Sequence, residues 1–360
     1  MKTKIIKNLK MCKSNDYSYL FNMDTGNFIR YGKTLDDDPQ YSHYGPEILD
    51  LEISVDGCKN NCNFCYKSNS NNTPTNMTFE TFKTIIDKMP IVLTQIAFGI
   101  TGIQTNPDFI KMLKYCREKQ IVPNFTLSGI DLSDKIAKEV VKYIGAVAVS
   151  AYETDKNICY NTVKKFTDLG INQTNIHIMV SKQTKDFVYE VLKDSKTDPR
   201  LSKLNAIVLL KCKPKGRAKN NFDILNISEY TELVNFCLDN KISFGFDSCT
   251  APDYEIAIEN NNKLSDEQKK QMIMLSESCE ILSFSSYIDV HGKFYPCSFA
   301  CGESSDWNDG IDVINCNDFL TDVWFNEKVI KLRNELHSNT YKSGCRKCLM
   351  FKEINPIYTI

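Results

Sequence analysis

Hydrophobic and polar positions alternate along residues 49–55, a pattern typical of a β-strand with one buried face. Residues 77–82 open a helix that is predicted to run to about Lys88, with Thr78 as its N-cap. This pairing of a strand with a helix is repeated along the chain. Further strands are predicted near residues 92–98, 122–127, 146–150, 174–180, 206–211 and 242–247. Further helices are predicted near residues 107–119, 133–144, 156–169, 184–194 and 228–240.

The repeated pairing predicts an α/β fold with a parallel sheet, because strands alternating with helices form βαβ units. About six repeats are too few for a closed eight-fold barrel, so residues 49–248 are expected to form a partial (β/α)6 barrel. Residues 1–48 are predicted to be a hairpin-like N-terminal extension, since turn signals interrupt them.

The alternation of strands and helices ends after residue 248, and residues 249–360 are predicted to form a smaller C-terminal α+β domain. A helix is expected over residues 265–278 and another over residues 319–337. Residues 287–295 are expected to form a β-hairpin that turns at Gly292.

The composition is that of a globular protein, with 42% hydrophobic and 25% charged residues in a chain of 360. The 44 Lys and Arg against 45 Asp and Glu leave a net charge of −1, so we expect neither a nucleic-acid partner nor a membrane partner. No apolar run reaches the ~18 residues of a membrane span. The first residues are basic, but Asn8, Lys10 and Lys13 interrupt any apolar core there. We therefore expect no signal peptide, and a cytoplasmic protein whose thiols stay reduced.

The chain contains 15 cysteines, and in a reducing compartment this number indicates metal or cluster chemistry rather than disulfides. Three of them, Cys58, Cys62 and Cys65, have the spacing C-x3-C-x2-C and directly follow the first strand of the predicted barrel. Three thiolates leave one iron of a [4Fe–4S] cluster without a protein ligand. An open coordination position is typical of a reactive centre, whereas a structural zinc site has four protein ligands.

This motif, with an aromatic residue just before its last cysteine, resembles that of the radical S-adenosylmethionine (SAM) superfamily. The resemblance implies that Cys58, Cys62 and Cys65 bind a [4Fe–4S] cluster whose open iron chelates SAM. Reduction then cleaves SAM to a 5′-deoxyadenosyl radical, which abstracts a hydrogen from the substrate. The alternative is a zinc knuckle or three unrelated cysteines, although no fourth Cys or His lies nearby.

The same resemblance implies several SAM contacts. Phe64 is expected to pack near the adenine. Gly99 and Gly102 stand where the family often has a Gly-Gly-Glu-Pro-like segment, but the acidic residue is missing here. Ser128 and Ser150, at the ends of the third and fourth strands, are placed where family members present polar contacts to SAM; both could equally be ordinary strand-end residues.

A second set of cysteines lies in the C-terminal region. Cys279 and Cys297 are separated by 17 residues, and Cys345 and Cys348 form a C-x2-C pair. Their layout resembles the SPASM and twitch domains of radical SAM enzymes, which bind auxiliary [4Fe–4S] clusters. Because no cysteine follows Cys348, the resemblance implies one auxiliary cluster with these four ligands. A structural zinc at the same residues is the alternative.

Three further residues are candidates for chemistry. Cys249 and Cys301 could each replace a cluster ligand or donate a hydrogen atom, and each could also be a small, partly buried residue. His177 alternates within a predicted strand and is a candidate for a polar contact to substrate.

The resemblance predicts a radical SAM enzyme, an oxidoreductase or peptide maturase that cross-links, epimerises or oxidises a ribosomally made peptide. A small-molecule radical SAM dehydrogenase or cyclase is the first alternative, and a non-enzymatic, zinc-stapled binding protein is the second. The partners expected for the enzyme are a peptide or small-molecule substrate and a reductant such as flavodoxin or ferredoxin.

Overall fold

The protein is described by a computed structural model over residues 1–35, 37–302, 305–340 and 347–350. The chain begins with an antiparallel sheet of four strands that lie side by side in chain order, which is more than the predicted hairpin. These strands are β1 (Lys2–Ile6), β2 (Leu9–Lys13), β3 (Ser18–Asn22) and β4 (Phe28–Tyr31).

A parallel sheet forms the centre of the molecule, and seven of its strands lie side by side in chain order. These are β5 (Ile48–Glu52), β8 (Gln95–Gly99), β9 (Val122–Leu127), β10 (Ala146–Ser150), β11 (Gln173–Val180), β12 (Ala206–Lys211) and β13 (Phe244–Phe246). The helices between them are α1 (Phe79–Lys88), α2 (Phe109–Glu118), α3 (Asp134–Val140), α4 (Lys156–Asp168), α5 (Lys185–Thr197) and α6 (Ile227–Asp239). A short ladder of β6 (Ser54–Val55) and β7 (Thr75–Asn76) follows β5. Six strand–helix units and a closing strand confirm the predicted α/β organisation.

The two faces of this sheet differ in burial. Right-handed crossovers between neighbouring parallel strands place the helices on one face. On β11, Ile176, Ile178 and Val180 point to that face and are buried, whereas His177 between them is partly accessible. The same alternation occurs on β8, β9 and β12. The accessible face, called the inner face below, includes several small residues: Ala97, Gly99, Ala146, Ala148 and Ala206.

The C-terminal region continues the same sheet. Its strands are β14 (Ser285–Ile288), β15 (Lys293–Tyr295) and β16 (Ile311–Asp312), and its helices are α7 (Ala251–Glu259), α8 (Asp266–Met274) and α9 (Glu327–Ser338). Strand β14 pairs in parallel with β5, and β15 and β16 follow it to complete ten strands. The predicted hairpin is confirmed, and Gly292 turns it with a φ of +76°, which glycine adopts without strain.

The helix predicted over residues 319–337 is interrupted. A π-helical turn, Leu320–Trp324, precedes α9, and the Asn326 side chain caps α9 by accepting a hydrogen bond from the Lys328 backbone N–H. Arg333 of α9 is buried and donates hydrogen bonds to the carbonyls of Leu282 and Trp324. Arg333 thus joins α9 to the end of the π-helical turn and to the segment before β14.

The N-terminal sheet covers the amino ends of the parallel strands. Its buried aromatic residues pack with Val92, Val122 and Phe284, which lie at the amino ends of β8, β9 and β14. Glu47, just before β5, accepts hydrogen bonds from Tyr17 and Arg30 of this sheet. The carboxyl ends of the strands, where parallel α/β sheets bind their ligands, are at the opposite end of the barrel.

Candidate functional site

The first cysteine motif lies in the loop between β6 and β7, at the carboxyl end of the first parallel strand. The loop is closed by its own backbone, because Cys58 N–H donates to the Ser70 carbonyl at 2.8 Å. The Asp56 carboxylate accepts from both the backbone N–H and the hydroxyl of the same Ser70. These contacts hold the motif at the end of the barrel where ligands bind.

The cysteine side chains of this loop face one another. A hydrogen bond from the Cys62 thiol lowers the pKa of the Cys65 thiol to about 6, and Cys58 is close enough to act electrostatically on Cys62. Among the described residues, no three His, Cys, Asp or Glu side chains converge on a point at which they could hold a single metal ion. A cubane cluster has four irons, so its thiolates need not converge on one atom, and the donor set is that of an iron–sulfur site.

Residues that follow β12 hold this loop from the other side of the barrel. The Arg217 backbone N–H donates to the Cys65 carbonyl at 3.0 Å, and its Nε donates to the Cys62 carbonyl at 2.8 Å. Gly216 has a φ of +58°, and a Cβ there would lie 2.4 Å from the Tyr66 carbonyl oxygen. Only glycine lets the two backbones approach this closely.

Replacing Gly216 by alanine is therefore expected to displace the cysteine loop and lower the iron content of the purified protein by more than half. Gly170 provides a matched control, because it also has a positive φ, +92°, but a Cβ there meets nothing within 4 Å. Gly170→Ala should cost only the backbone strain of about 1 kcal/mol and keep its iron. Equal iron contents in the two variants would contradict this role of Gly216.

The predicted SAM contacts fall into two groups. The Phe64 ring is stacked on Tyr152 with 5.9 Å between ring centroids, and Tyr152 is hydrogen-bonded to Ser150. Gly102 and Ser128 line a cavity of about 490 Å³ beside the cysteine loop, a size typical of small-molecule sites. Tyr152 was not predicted from the sequence, although it stands only two residues after Ser150.

Gly99, the remaining predicted contact, ends β8 and lies against β5. A Cβ at Gly99 would be 3.2 Å from the Glu52 Cα, so the glycine brings the two strand ends together. Glu52 is buried and accepts a hydrogen bond from the Tyr287 hydroxyl at 2.7 Å. It also forms an ion pair with Lys67 at 3.1 Å. This group of three side chains joins β5, the cysteine loop and β14, and no sequence motif indicates it.

The fold brings three cysteines of the second set, Cys279, Cys297 and Cys348, close together and places Cys249 beside them. Cys249, Cys279, Cys297 and Cys348 lie close enough to act on one another electrostatically, and burial raises the pKa of the Cys249 and Cys297 thiols to about 12. Cys345 lies outside the described residues. Cys249 follows the last strand of the barrel, so the barrel contributes a thiol to the C-terminal cysteine group.

The ammonium of Lys213 links the two loops that carry Cys249 and Cys297. It forms an ion pair with Asp247 and lies 5.1 Å from the centroid of the Phe299 ring. These neighbours are each two residues from the corresponding cysteine. Cys301 has a different environment, because its thiol is hydrogen-bonded to the Tyr295 side chain.

His177 and Asp50 both lie on the inner face. His177 is 3.4 Å from the Thr126 hydroxyl, and burial lowers its pKa to about 4, so the imidazole is neutral. Asp50 accepts no hydrogen bond from any described residue, and it is exposed to the space in front of this face. The lack of a partner at Asp50 could not be predicted from the sequence. A polar residue in an alternating strand is equally typical of an ordinary solvated face.

Comparison with known proteins identifies the C-terminal region and the fold. Residues 279–349 match the SPASM family, described as an iron-sulfur cluster-binding domain. No curated protein matches the chain.

Several solved structures share the fold. Streptococcus suis SuiB bound to precursor peptide SuiA has a TM-score of 0.66 and 14% identity over 98% of this chain and 93% of that one. SuiB bound to S-adenosylmethionine has a TM-score of 0.64 and 13% identity over 93% and 91% of the two chains. Native anSMEcpe with bound AdoMet and Cp18Cys peptide has a TM-score of 0.56 and 17% identity over 79% and 82%.

The chain therefore has the fold of the radical SAM enzymes and carries a C-terminal SPASM iron–sulfur domain, as its two cysteine patterns predicted. Within the part of the chain that the structure describes, no helix combines the length and the hydrophobicity that a bilayer crossing requires.

Proposed function

We propose that this protein is a radical SAM enzyme that removes a hydrogen atom from a ribosomally made peptide, so that the peptide becomes cross-linked, epimerised or oxidised. The single observation that carries the proposal is the C-x3-C-x2-C loop at the carboxyl end of β5, held by Arg217 and Gly216. Cys58, Cys62 and Cys65 would bind a [4Fe–4S] cluster through their thiolates. With SAM bound, this cluster supplies a 5′-deoxyadenosyl radical on reduction.

The residues around the loop would bind and orient SAM. Phe64, fixed by its stacking on Tyr152, offers an aromatic surface to the adenine, and Ser150 fixes Tyr152 in turn. Gly102 and Ser128 line the cavity next to the loop, where backbone groups can approach a small ligand closely. Gly99 ends the neighbouring strand and lets it approach Glu52 closely.

The C-terminal cysteines would hold one auxiliary [4Fe–4S] cluster. Cys279, Cys297, Cys345 and Cys348 are the proposed ligands, and the thiol of Cys249 is the one that could replace any of them. In a buried site these thiolates need compensating charge, and Lys213 lies between the loops of Cys249 and Cys297. Cys301, next to Tyr295, remains the candidate for donating a hydrogen atom.

A peptide substrate is supported by the structural likeness to SuiB, which was solved with its precursor peptide, and to anSMEcpe, which was solved with a peptide. The inner face includes several small residues, which favours space for a substrate side chain between the cysteine loop and the sheet. The electron is proposed to come from a flavodoxin or ferredoxin.

Deuterium transfer tests the peptide proposal directly. Short peptides encoded by neighbouring genes would be prepared with deuterium on every carbon and incubated with the reconstituted enzyme, SAM and dithionite. We expect 5′-deoxyadenosine that is one mass unit heavier than with the unlabelled peptide. Unlabelled 5′-deoxyadenosine together with an unchanged peptide would contradict a peptide substrate, and transfer from a deuterated metabolite would favour the small-molecule dehydrogenase or cyclase.

A further inference from the structure

Two carboxylates project from the inner face of β5, and they differ in their partners. Glu52 is fully engaged, since Tyr287 donates a hydrogen bond to it and Lys67 forms an ion pair with it. Lys67 also donates to the Tyr287 hydroxyl at 2.6 Å, so the three side chains form a closed group. This carboxylate is neutralised by the protein itself and has a structural explanation.

Asp50, two residues earlier on the same face, has no such partner. No described residue donates a hydrogen bond to it or forms an ion pair with it, and desolvation alone raises its pKa to about 6. In the sheet it pairs with Ala97 on β8 and Tyr287 on β14, and the Tyr287 hydroxyl is already committed to Glu52. Asp50 is exposed to the space in front of the inner face.

The other polar groups of the inner face do not compensate Asp50. His177 is neutral and next to Thr126. Asn124 is occupied by Gln95 and by the backbone N–H of Ala146. An ionisable side chain that faces a cleft without a partner in the fold is a candidate for ligand binding.

We propose that Asp50 is a substrate-binding residue and that it receives a cationic group of the substrate, an alkylammonium or a guanidinium such as a lysine or arginine side chain. This deepens the proposed function and rests on it. Binding would place an opposite charge against a carboxylate that no described residue compensates, and the resulting hydrogen bond is charge-assisted. The ion pair becomes stronger as the bound substrate displaces water from the inner face.

The place of Asp50 fits a substrate that reacts at the cysteine loop. Asp50 is close enough to Tyr66, the residue after Cys65, to act on it electrostatically, so the carboxylate lies near the end of that loop. Its neighbour on β8, Ala97, is small, and Ala148 is a further small residue along the sheet. A cation held at Asp50 would therefore leave the carbon atoms attached to it between the sheet and the loop.

Binding of small organic ions tests this inference without knowledge of the substrate. Reconstituted enzyme with SAM, kept oxidised, would be titrated with n-butylammonium and methylguanidinium, and with n-butanol and butyrate as neutral and anionic probes. Saturation-transfer NMR would measure the binding to wild type, to Asp50→Asn and to Asp186→Asn. Asp186, exposed on α5, provides a matched loss of one carboxylate outside the inner face.

We expect both cations to bind wild type and Asp186→Asn equally, and to bind Asp50→Asn at least about tenfold more weakly. The neutral and anionic probes should not bind saturably. Equal cation binding to wild type and Asp50→Asn, or butanol binding as well as butylammonium, would overturn the assignment of Asp50. A wild type that forms no 5′-deoxyadenosine with dithionite would instead refute the proposed function, whatever the probes do.

Discussion

Replacing Cys58 by alanine is expected to abolish formation of 5′-deoxyadenosine and to remove about four irons per chain, the content of one cluster. Two thiolates, Cys62 and Cys65, would remain, and a cube held by two of its four irons is lost easily. The loop itself should survive, because the contact that closes it uses the Cys58 backbone N–H rather than its side chain. The measurement is iron content and 5′-deoxyadenosine after anaerobic reconstitution, with SAM and dithionite.

Cys316→Ala is the matched control for Cys58→Ala. Cys316 is also partly buried, and its thiol donates only to the Val313 carbonyl, away from both cysteine groups. It should keep the full iron content and full 5′-deoxyadenosine formation. If Cys58→Ala still formed 5′-deoxyadenosine at the rate of this control, the assignment of the cysteine loop would be refuted.

Replacing Cys297 by alanine should remove about four irons, those of the auxiliary cluster, and destabilise the C-terminal domain. Cys297 follows β15 by two residues and interacts with Cys279 and Cys348, so its thiolate would tie the hairpin to the chain beyond α9. We expect the radical cluster to remain, with a lower melting temperature because metal binding is coupled to folding. Iron analysis and thermal unfolding of wild type and variant measure both effects.

Cys249→Ala distinguishes the possible ligand sets of the auxiliary site. A loss of about four irons in Cys249→Ala, as in Cys297→Ala, would identify Cys249 as a ligand. An unchanged iron content in Cys249→Ala would support the ligand set proposed from the sequence, which is Cys279, Cys297, Cys345 and Cys348. Unchanged iron content in Cys297→Ala itself would contradict the auxiliary cluster.

Much of the fold could be predicted because it is encoded by local patterns. The strands β8–β12 and their helices follow from alternation and capping signals within about ten residues, and the Gly292 hairpin from one turn residue. The break before α9 could not be predicted, since it depends on Arg333 reaching the carbonyls of Leu282 and Trp324. The four-stranded N-terminal sheet was likewise under-predicted, because its aromatic residues are buried only by packing on the barrel.

The candidate site divides in the same way. The ligands of a cluster can be recognised in sequence when they are close together, as in Cys58-x3-Cys62-x2-Cys65. Residues that meet only through the tertiary fold leave no such pattern: Glu52 and Tyr287 are 235 positions apart. The lack of a partner for the Asp50 carboxylate also cannot be predicted from the sequence. It depends on which side chains the neighbouring strands present to Asp50 in the folded protein.

Formation of 5′-deoxyadenosine by the wild-type protein is the most direct test of the account. The anaerobically reconstituted enzyme would be analysed for iron, sulfide and zinc and then incubated with SAM and dithionite. We expect about eight irons per chain, in two clusters, and 5′-deoxyadenosine that forms only when the reductant is present. Zinc without iron, and intact SAM, would contradict it and leave a zinc-stapled binding protein.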